Sequence, residues 1–293
     1  MSGDLVKLNT ASAALYRSCL RALLPKKARP EQALLMPSLQ LNAPPLASSL
    51  RQLQQYRQLC GIADDGLLPL CWPNILSFPL QLALLSARQL PLPVMGLLHL
   101  SNQIRQLQPI PERAALAFEV CLLPPRQDRK GLILQLQTSA YLDGVLCWQQ
   151  QAEHLYRLGS TPATSAPRAG AQPVVPVAAE PLPLAPLTLT TADSRRYARL
   201  SGDLNPIHLS GWTGRCFGLP AAIAHGMHLK AACLARLRSA QSPCQVQVRF
   251  HKPLLLPGQA SILQLPVSEH GQHFQLLQRQ QDKVLLSASI LPI

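Results

Sequence analysis

Aromatic residues make up only 4% of this 293-residue chain. Its cores must therefore be aliphatic, drawn from a hydrophobic content of 47% that is mostly Leu, Val and Ala. Charge is also scarce, at 14%, and the acidic side is the poorer: 14 Asp and Glu against 27 Lys and Arg give a net charge of +13. Such a balance suits a polyanionic partner, nucleic acid being the first to consider. The cations, however, are mostly scattered singly, with short clusters at Lys26-Lys27 and Arg195-Arg196. There is no zinc-ligand spacing, no arginine-rich arm and no aromatic RNA-binding signature, so nucleic acid is not expected as a partner. A smaller anionic carrier, or a basic surface with no partner meaning, remains.

Cysteine pairs of the C-x-x-C kind are missing as well. The eight cysteines (Cys19, Cys60, Cys71, Cys121, Cys147, Cys216, Cys233 and Cys244) are dispersed, most of them in apolar runs. That usage predicts reduced, buried thiols in a cytoplasmic protein rather than a disulfide framework, and no metal site. No run of 18 uncharged apolar residues has helical character, and Met1-Ser2-Gly3-Asp4 lacks the basic start of a signal peptide. The chain is expected to be neither exported nor inserted in a membrane. Residues 11–25 read as a short amphipathic helix interrupted by Arg17 and Arg21.

Proline and alanine crowd into residues 159–186, a segment that favours extended chain over a packed element. It divides the sequence into domains at 1–158 and 187–293, and the two look alike. Tyr56 lies in Gln-Tyr-Arg-Gln-Leu-Cys-Gly-Ile, and Tyr197 in Arg-Tyr-Ala-Arg-Leu-Ser-Gly-Asp. An apolar helix candidate follows each, at 74–87 and 225–238. Next comes an extended stretch broken by proline, at 103–109 and 248–253. Strands with alternating or apolar character close each half, at 115–123, 131–139 and 145–156 in one, and at 259–267, 273–279 and 283–291 in the other. A helix followed by a long antiparallel meander, given twice, predicts an α+β duplication in which each sheet wraps one apolar helix.

The second copy carries the chemistry. Ser201-Gly202-Asp203-Leu204-Asn205-Pro206-Ile207-His208 puts an acid, an amide and an imidazole within six residues. Pro206 fixes its own φ and holds Asn205 extended, as a rigid loop requires. A carboxylate and an imidazole sharing one water can remove one proton and return another. Eighteen positions after His208, Gly226 opens the apolar helix in Ile223-Ala224-His225-Gly226-Met227. Unpaired N–H groups and the helix dipole favour negative charge there, and glycine admits a ligand close to the backbone. In the register set by the two tyrosines, Ile62 and Leu67 stand where the second copy has Asp203 and His208, so the first half keeps the scaffold without the dyad.

The order Ser-Gly-Asp-x-Asn-Pro-Ile-His followed by Ile-Ala-His-Gly-Met resembles the MaoC-like dehydratases, or (R)-specific enoyl thioester hydratases. The likeness is strong over 197–258. It is looser over 69–111, which resembles the non-catalytic N-terminal half of two-domain members, where that half helps to accommodate the acyl chain. The resemblance implies a tandem double hot dog and reversible hydration of trans-2-enoyl thioesters to (3R)-hydroxyacyl thioesters, without metal or cofactor beyond the coenzyme A or acyl carrier protein that bears the substrate. It implies that Asp203 and His208 are the acid–base pair, that Asn205 positions substrate or water, and that Gly226 N–H receives the thioester oxyanion. Ser201, Gly202 and His225 are expected to shape the turns and adjoin the substrate. Arg249 and Lys252 are candidates for carrier phosphates, or else a solvated strand edge. The chain departs from the family at Leu209 to Gly218, where the usual acidic residue is missing. Monomeric pseudo-dimer and homodimer are both compatible with the resemblance. A catalytically silent thioester-binding protein and a hot-dog thioesterase are the alternatives. The absence of Asp and Glu from Met227 to Arg238 counts against the thioesterase.

Overall fold

The computed structural model describes residues 5–7, 26–158, 186–237, 242–265, 271–279 and 283–293. The expected helix at 11–25 lies outside the described residues, as does nearly all of the proline-rich segment. The chain forms two compact units. One comprises residues 1–53 and 65–159, the other residues 54–64 and 160–293.

In the first unit the strands are β1 (Leu5–Lys7), β2 (Ser38–Ala47), β3 (Leu98–Gln106), β4 (Ala115–Leu122), β5 (Arg126–Asp128), β6 (Gly131–Leu142) and β7 (Val145–Arg157). Their order in the sheet is β1-β2-β4-β6-β7-β3, with β5 on β6. Strict alternation of buried and half-buried residues along β4 shows why this sequence makes a one-faced sheet. The helices are α1 (Pro30–Leu34), the start of α2 (Leu50–Cys60), and α3 (Trp72–Leu85), which packs on β2, β4 and β6. Buried polar groups fasten α3 further: Gln81 Nε2 donates to Asn74 Oδ1 at 3.2 Å, and Gln150 Nε2 on β7 donates to the same oxygen at 2.9 Å.

The second unit holds the end of α2 from Gln54, then α4 (Thr191–Ser201), a 3₁₀ turn (Pro206–His208), α5 (Gly211–Cys216) and α6 (Gly226–Leu237). Its strands are β8 (Leu187–Leu189), β9 (Cys244–Phe250), β10 (Gly258–Gln264), β11 (Gln272–Gln278) and β12 (Lys283–Pro292), ordered β9-β12-β11-β10-β8. Every residue of α6 from Met227 to Leu234 is buried. That explains a sequence dominated by Leu, Ala, Cys and Met with little amphipathic contrast, in which His228 and Lys230 are buried as well.

Relabelling the strands of each unit by their place in its repeat shows the duplication. In both, strand one pairs strand three, three pairs four, four pairs five, and five pairs two (β2-β4-β6-β7-β3 against β8-β10-β11-β12-β9). Each unit has five antiparallel strands with an apolar helix against them, the hot-dog layout, and the chain carries two; the first unit adds β1, parallel to β2, and the short β5. The two tyrosines that set the repeat register lie in the second unit, their rings 6.3 Å apart. No described helix is long and apolar enough to cross a membrane. The seven described cysteines are thiols rather than disulfides, and five of them are buried.

Candidate active site

The dyad loop is built from the end of α4. This helix starts with a capping box, in which Thr190 Oγ1 accepts from Asp193 N–H while the Asp193 carboxylate accepts from Thr190 N–H. It ends at Gly202, whose φ of +77° makes the left-handed turn that releases the chain. Ser201 Oγ then accepts the N–H of Asp203 at 3.2 Å. Ser201 and Gly202 thus act on the turn itself. The Asp203 carboxylate accepts from Asn205 N–H at 3.3 Å, and Asn205 Oδ1 accepts from Ile207 N–H at 3.4 Å. Two successive side-chain caps of this kind wind the 3₁₀ turn that ends in His208. Asn205 is extended before Pro206 (φ −56°, ψ 122°), as the proline requires. One lone pair of the Asn205 oxygen serves as the cap, and Nδ2 supplies two donors for a ligand.

His208 is 8% exposed, and its Nδ1 lies 2.8 Å from the carbonyl oxygen of Ile223. A carbonyl only accepts, so Nδ1 carries the proton and Nε2 of the neutral ring keeps its lone pair. Asp203, half-buried, brings a carboxylate oxygen to the same place: one oxygen of Asp203 and one nitrogen each of His208 and His225 lie within 4.8 Å of one another. Two hydrogen bonds of about 2.8 Å meeting at a water molecule span roughly 4.5 Å, so a single water fits between such groups.

His225 lies beneath this pair, its ring stacked on His208 with centroids 3.8 Å apart. Its Nε2 contacts the Asp203 carbonyl at 3.1 Å and its Nδ1 contacts Ser194 Oγ at 3.1 Å. Burial, and then the neighbouring His208, push its pKa well below the ordinary histidine value, so the ring is neutral. Three such groups would also serve as metal ligands. Here, however, both nitrogens of His225 are already engaged, which leaves Asp203 and one nitrogen of His208 where a catalytic zinc takes three protein ligands.

Gly226 is the first residue of α6, so its N–H has no partner within the helix. A side chain there would meet the Phe250 ring at 2.9 Å, which explains the glycine. Arg249 alternates with Phe250 along β9, is exposed, and points to the opposite face of the sheet from Gly226. Lys252 is exposed just beyond the strand. The structure thus brings together Asp203, His208 and His225, with Asn205 N–H bonded to Asp203 and Gly226 next to His225 in the chain, and sets Arg249 on the opposite face of the sheet from Gly226. The atypical segment after His208 forms α5, capped by Ser210 and joined to the 3₁₀ turn by Thr213 Oγ1, which donates to the Pro206 carbonyl at 2.6 Å.

A model of the family described as "MaoC like domain" matches residues 174–285. The 3-hydroxyacyl-thioester dehydratase X of Mycobacterium tuberculosis is 34% identical over 209 residues, covering 71% of this chain and 73% of that one. The chain belongs to the MaoC-like dehydratase family. The crystal structure of HtdX from M. tuberculosis superposes with a TM-score of 0.75 at 28% identity, over 87% of this chain and 100% of the other. A further M. tuberculosis protein, described as having a double hotdog fold, is 12% identical with a TM-score of 0.52 over 85% of this chain and 94% of its own, and shares the fold.

Three features of this family member were not legible in its sequence. Ser194 and the Ile223 carbonyl each fix a histidine, and neither carries a motif. His228, to which the sequence assigned nothing, is 1% exposed and stacks on Tyr197 with centroids 4.8 Å apart. Burial lowers its pKa to about 4. The unfolded chain takes up this proton near 6.5 while the folded chain resists it. Stability is therefore complete above pH 6.5, falls as pH drops toward 4, and is flat below. The cost is about 3 kcal/mol at 1.36 kcal/mol per unit, and His225 adds to it with the same sign. Urea titrations at pH 7.5 and 4.5 should show this loss, and His228→Phe, which keeps the ring stack, should recover much of it. Equal losses in parent and variant would assign the acid sensitivity to other groups.

Proposed function

We propose that this protein catalyses the reversible hydration of trans-2-enoyl thioesters to (3R)-hydroxyacyl thioesters in fatty-acid metabolism, as a hydro-lyase needing no metal or redox cofactor. The observation that carries the reading is the meeting of an Asp203 carboxylate oxygen and His208 within 4.8 Å, with the loose N–H end of α6 following His225 in the chain. In hydration, the water held by the pair attacks C3 as its proton passes to the dyad. The π electrons move through C2 to the thioester oxygen, giving an enolate whose charge the Gly226 N–H stabilises. The dyad then returns the proton to C2, so one water supplies both added groups and the balance closes. Asn205 Nδ2 orients the water or substrate. Dehydration is the same path reversed.

Coenzyme A and acyl carrier protein both present anionic carriers, and the chain suits either. From Ser194 to Ser268 it has nine Lys and Arg (residues 195, 196, 199, 215, 230, 236, 238, 249 and 252) and a single acid, Asp203; of the nine, Lys230 is fully buried and does not meet a carrier. The N-terminal half accommodates the acyl chain. Thiols in place of disulfides among the described cysteines support a cytoplasmic setting. The test is loss of conjugated enoyl absorbance with crotonyl and octenoyl thioesters on each carrier, with and without EDTA. Consumption unaffected by EDTA, with a 3R product, is the expected result. A folded protein that binds both thioesters on both carriers and turns over none is a silent binding protein, and release of free thiol is the mark of a thioesterase.

A further inference from the structure

The dyad loop has a weak point. Within it, Asp203 N–H binds Ser201 Oγ, Leu204 N–H binds the Gly202 carbonyl, and Asn205 N–H binds the Asp203 carboxylate. Each of these bonds spans two residues. They give the turn its shape, but they do not fix it against α6, where the oxyanion would sit. Leu204 at the tip is 51% exposed and packs little against the rest.

Beside Arg195, which donates to the Leu209 carbonyl at 3.4 Å, the long-range fastening comes from one short segment, residues 223–225. Ile223 N–H donates to the Ile207 carbonyl at 3.0 Å, and the Ile223 carbonyl receives His208 Nδ1–H. Two residues on, His225 reaches the Asp203 carbonyl across 22 positions of sequence. The next residue is Gly226. The segment itself is anchored through Ala224 N–H to the Leu254 carbonyl at 2.9 Å. One short stretch therefore references His208 at one end, Asp203 at the other, and leads into the oxyanion donor itself.

We propose that His225 is a positioning residue for the hydration reaction, held in its Nε2–H tautomer by the hydroxyl of Ser194, and that this pair sets the place of Asp203 relative to Gly226. The proposal rests on the hydratase reading above.

A neutral imidazole has one donor and one acceptor. The Asp203 carbonyl can only accept, so Nε2 must donate, and Nδ1 must then accept. Ser194 supplies the required O–H from the buried face of the first turn of α4. Without that hydroxyl the two tautomers come closer in energy. In the Nδ1–H form, two lone pairs face each other between Nε2 and the carbonyl, and the loop is pushed away. Protonation does not release the loop in this way, because Nε2–H survives it and the serine can turn to accept.

The groups facing His225 are the stacked His208 ring, Tyr197 with its centroid 4.9 Å away, Ser194, His228 and the Asp203 carbonyl. An Asp203 carboxylate oxygen also lies within 4.8 Å of a His225 nitrogen, but burial, and then the neighbouring His208, still push the pKa well below the ordinary histidine value, so the ring works as a neutral strut across the catalytic pH range.

The experiment compares Ser194→Ala with Ser194→Thr by imidazole nitrogen NMR and by kinetics. In the parent, His225 should show a single Nε2–H tautomer; in Ser194→Ala it should show a mixture, and Ser194→Thr should restore the parent pattern. Loss of positioning should lower kcat on the order of 10- to 100-fold with KM nearly unchanged in Ser194→Ala, and Thr should recover most of it. An Nδ1–H tautomer in the parent overturns the proposal. So does unchanged kcat in a Ser194→Ala protein with mixed tautomers, or equal loss in both variants, which would mean packing rather than hydrogen bonding. The tautomer measurement needs no substrate. Failure of the hydratase reading would abolish turnover in all three proteins and leave the NMR result standing, and is thereby told apart.

Discussion

Asp203→Asn and His208→Asn are each expected to lower kcat for enoyl hydration by 10²- to 10⁴-fold, the usual worth of general acid–base catalysis, with little change in KM. The substitutions are chosen from the geometry. Asparagine at 203 keeps an oxygen for Asn205 N–H, so the turn survives while the negative charge is lost. Asparagine at 208 offers Nδ2 to the Ile223 carbonyl in place of Nδ1–H, so a buried acceptor is not stranded. What each variant lacks is its half of the water-holding pair. Because the two groups act on one water, their effects should not multiply: the double variant should fall only slightly below the weaker single. Multiplicative losses would mean that the residues serve separate steps, and either single variant retaining near-parental kcat would remove it from the proton path.

The fold was read from the sequence where burial is one-sided and missed where it is not. The helix expected at 74–87 forms at Trp72–Leu85, and the one expected at 225–238 at Gly226–Leu237, because an apolar run of that length can only be buried. The closing strands of both halves fall within a few residues of expectation. β2 was not foreseen. It contains Pro44 and Pro45, which break a sequence pattern; the sheet absorbs them as a register shift between Ala43 and Leu46. β3 begins earlier than expected, at Leu98, because its buried face includes the fully buried Asn102, and a polar residue on the inner face hides the alternation. β8, three residues long, is too short to register.

At the site, the residues assigned to the chemistry are side chains or a glycine at fixed spacing, and these the sequence spelled out. The residues that hold them are different in kind. The Ile223 carbonyl has no side-chain signature at all, and Ser194 is one serine among many until the fold sets it against His225. His225 itself was marked by the sequence as a residue that shapes the turn and adjoins the substrate; the two hydrogen bonds by which it holds the turn were not legible. The excess of cations and the candidacy of Arg249 were legible too, but only the sheet shows that Arg249 faces away from Phe250 and so from Gly226.

Removing the Gly226 N–H should cost on the order of 10²- to 10³-fold in kcat, the measured worth of one oxyanion donor elsewhere. A backbone donor is deleted by proline, and the first position of a helix is where proline is best tolerated, since its missing N–H has no partner in the helix. Space is the obstacle, because any Cβ at 226 meets Phe250 at 2.9 Å. The measurement therefore belongs in a Phe250→Leu background, with Gly226→Ala and Gly226→Pro compared there. Alanine adds the same Cβ and keeps the N–H; proline adds it and removes the donor. Substrate binding draws on the whole acyl chain and carrier, whereas the charge on the thioester oxygen exists only as the enolate forms. The difference between the two variants should consequently appear in kcat and hardly in KM. If alanine and proline are equally impaired, Gly226 is required for room alone, and the oxyanion is stabilised by another donor.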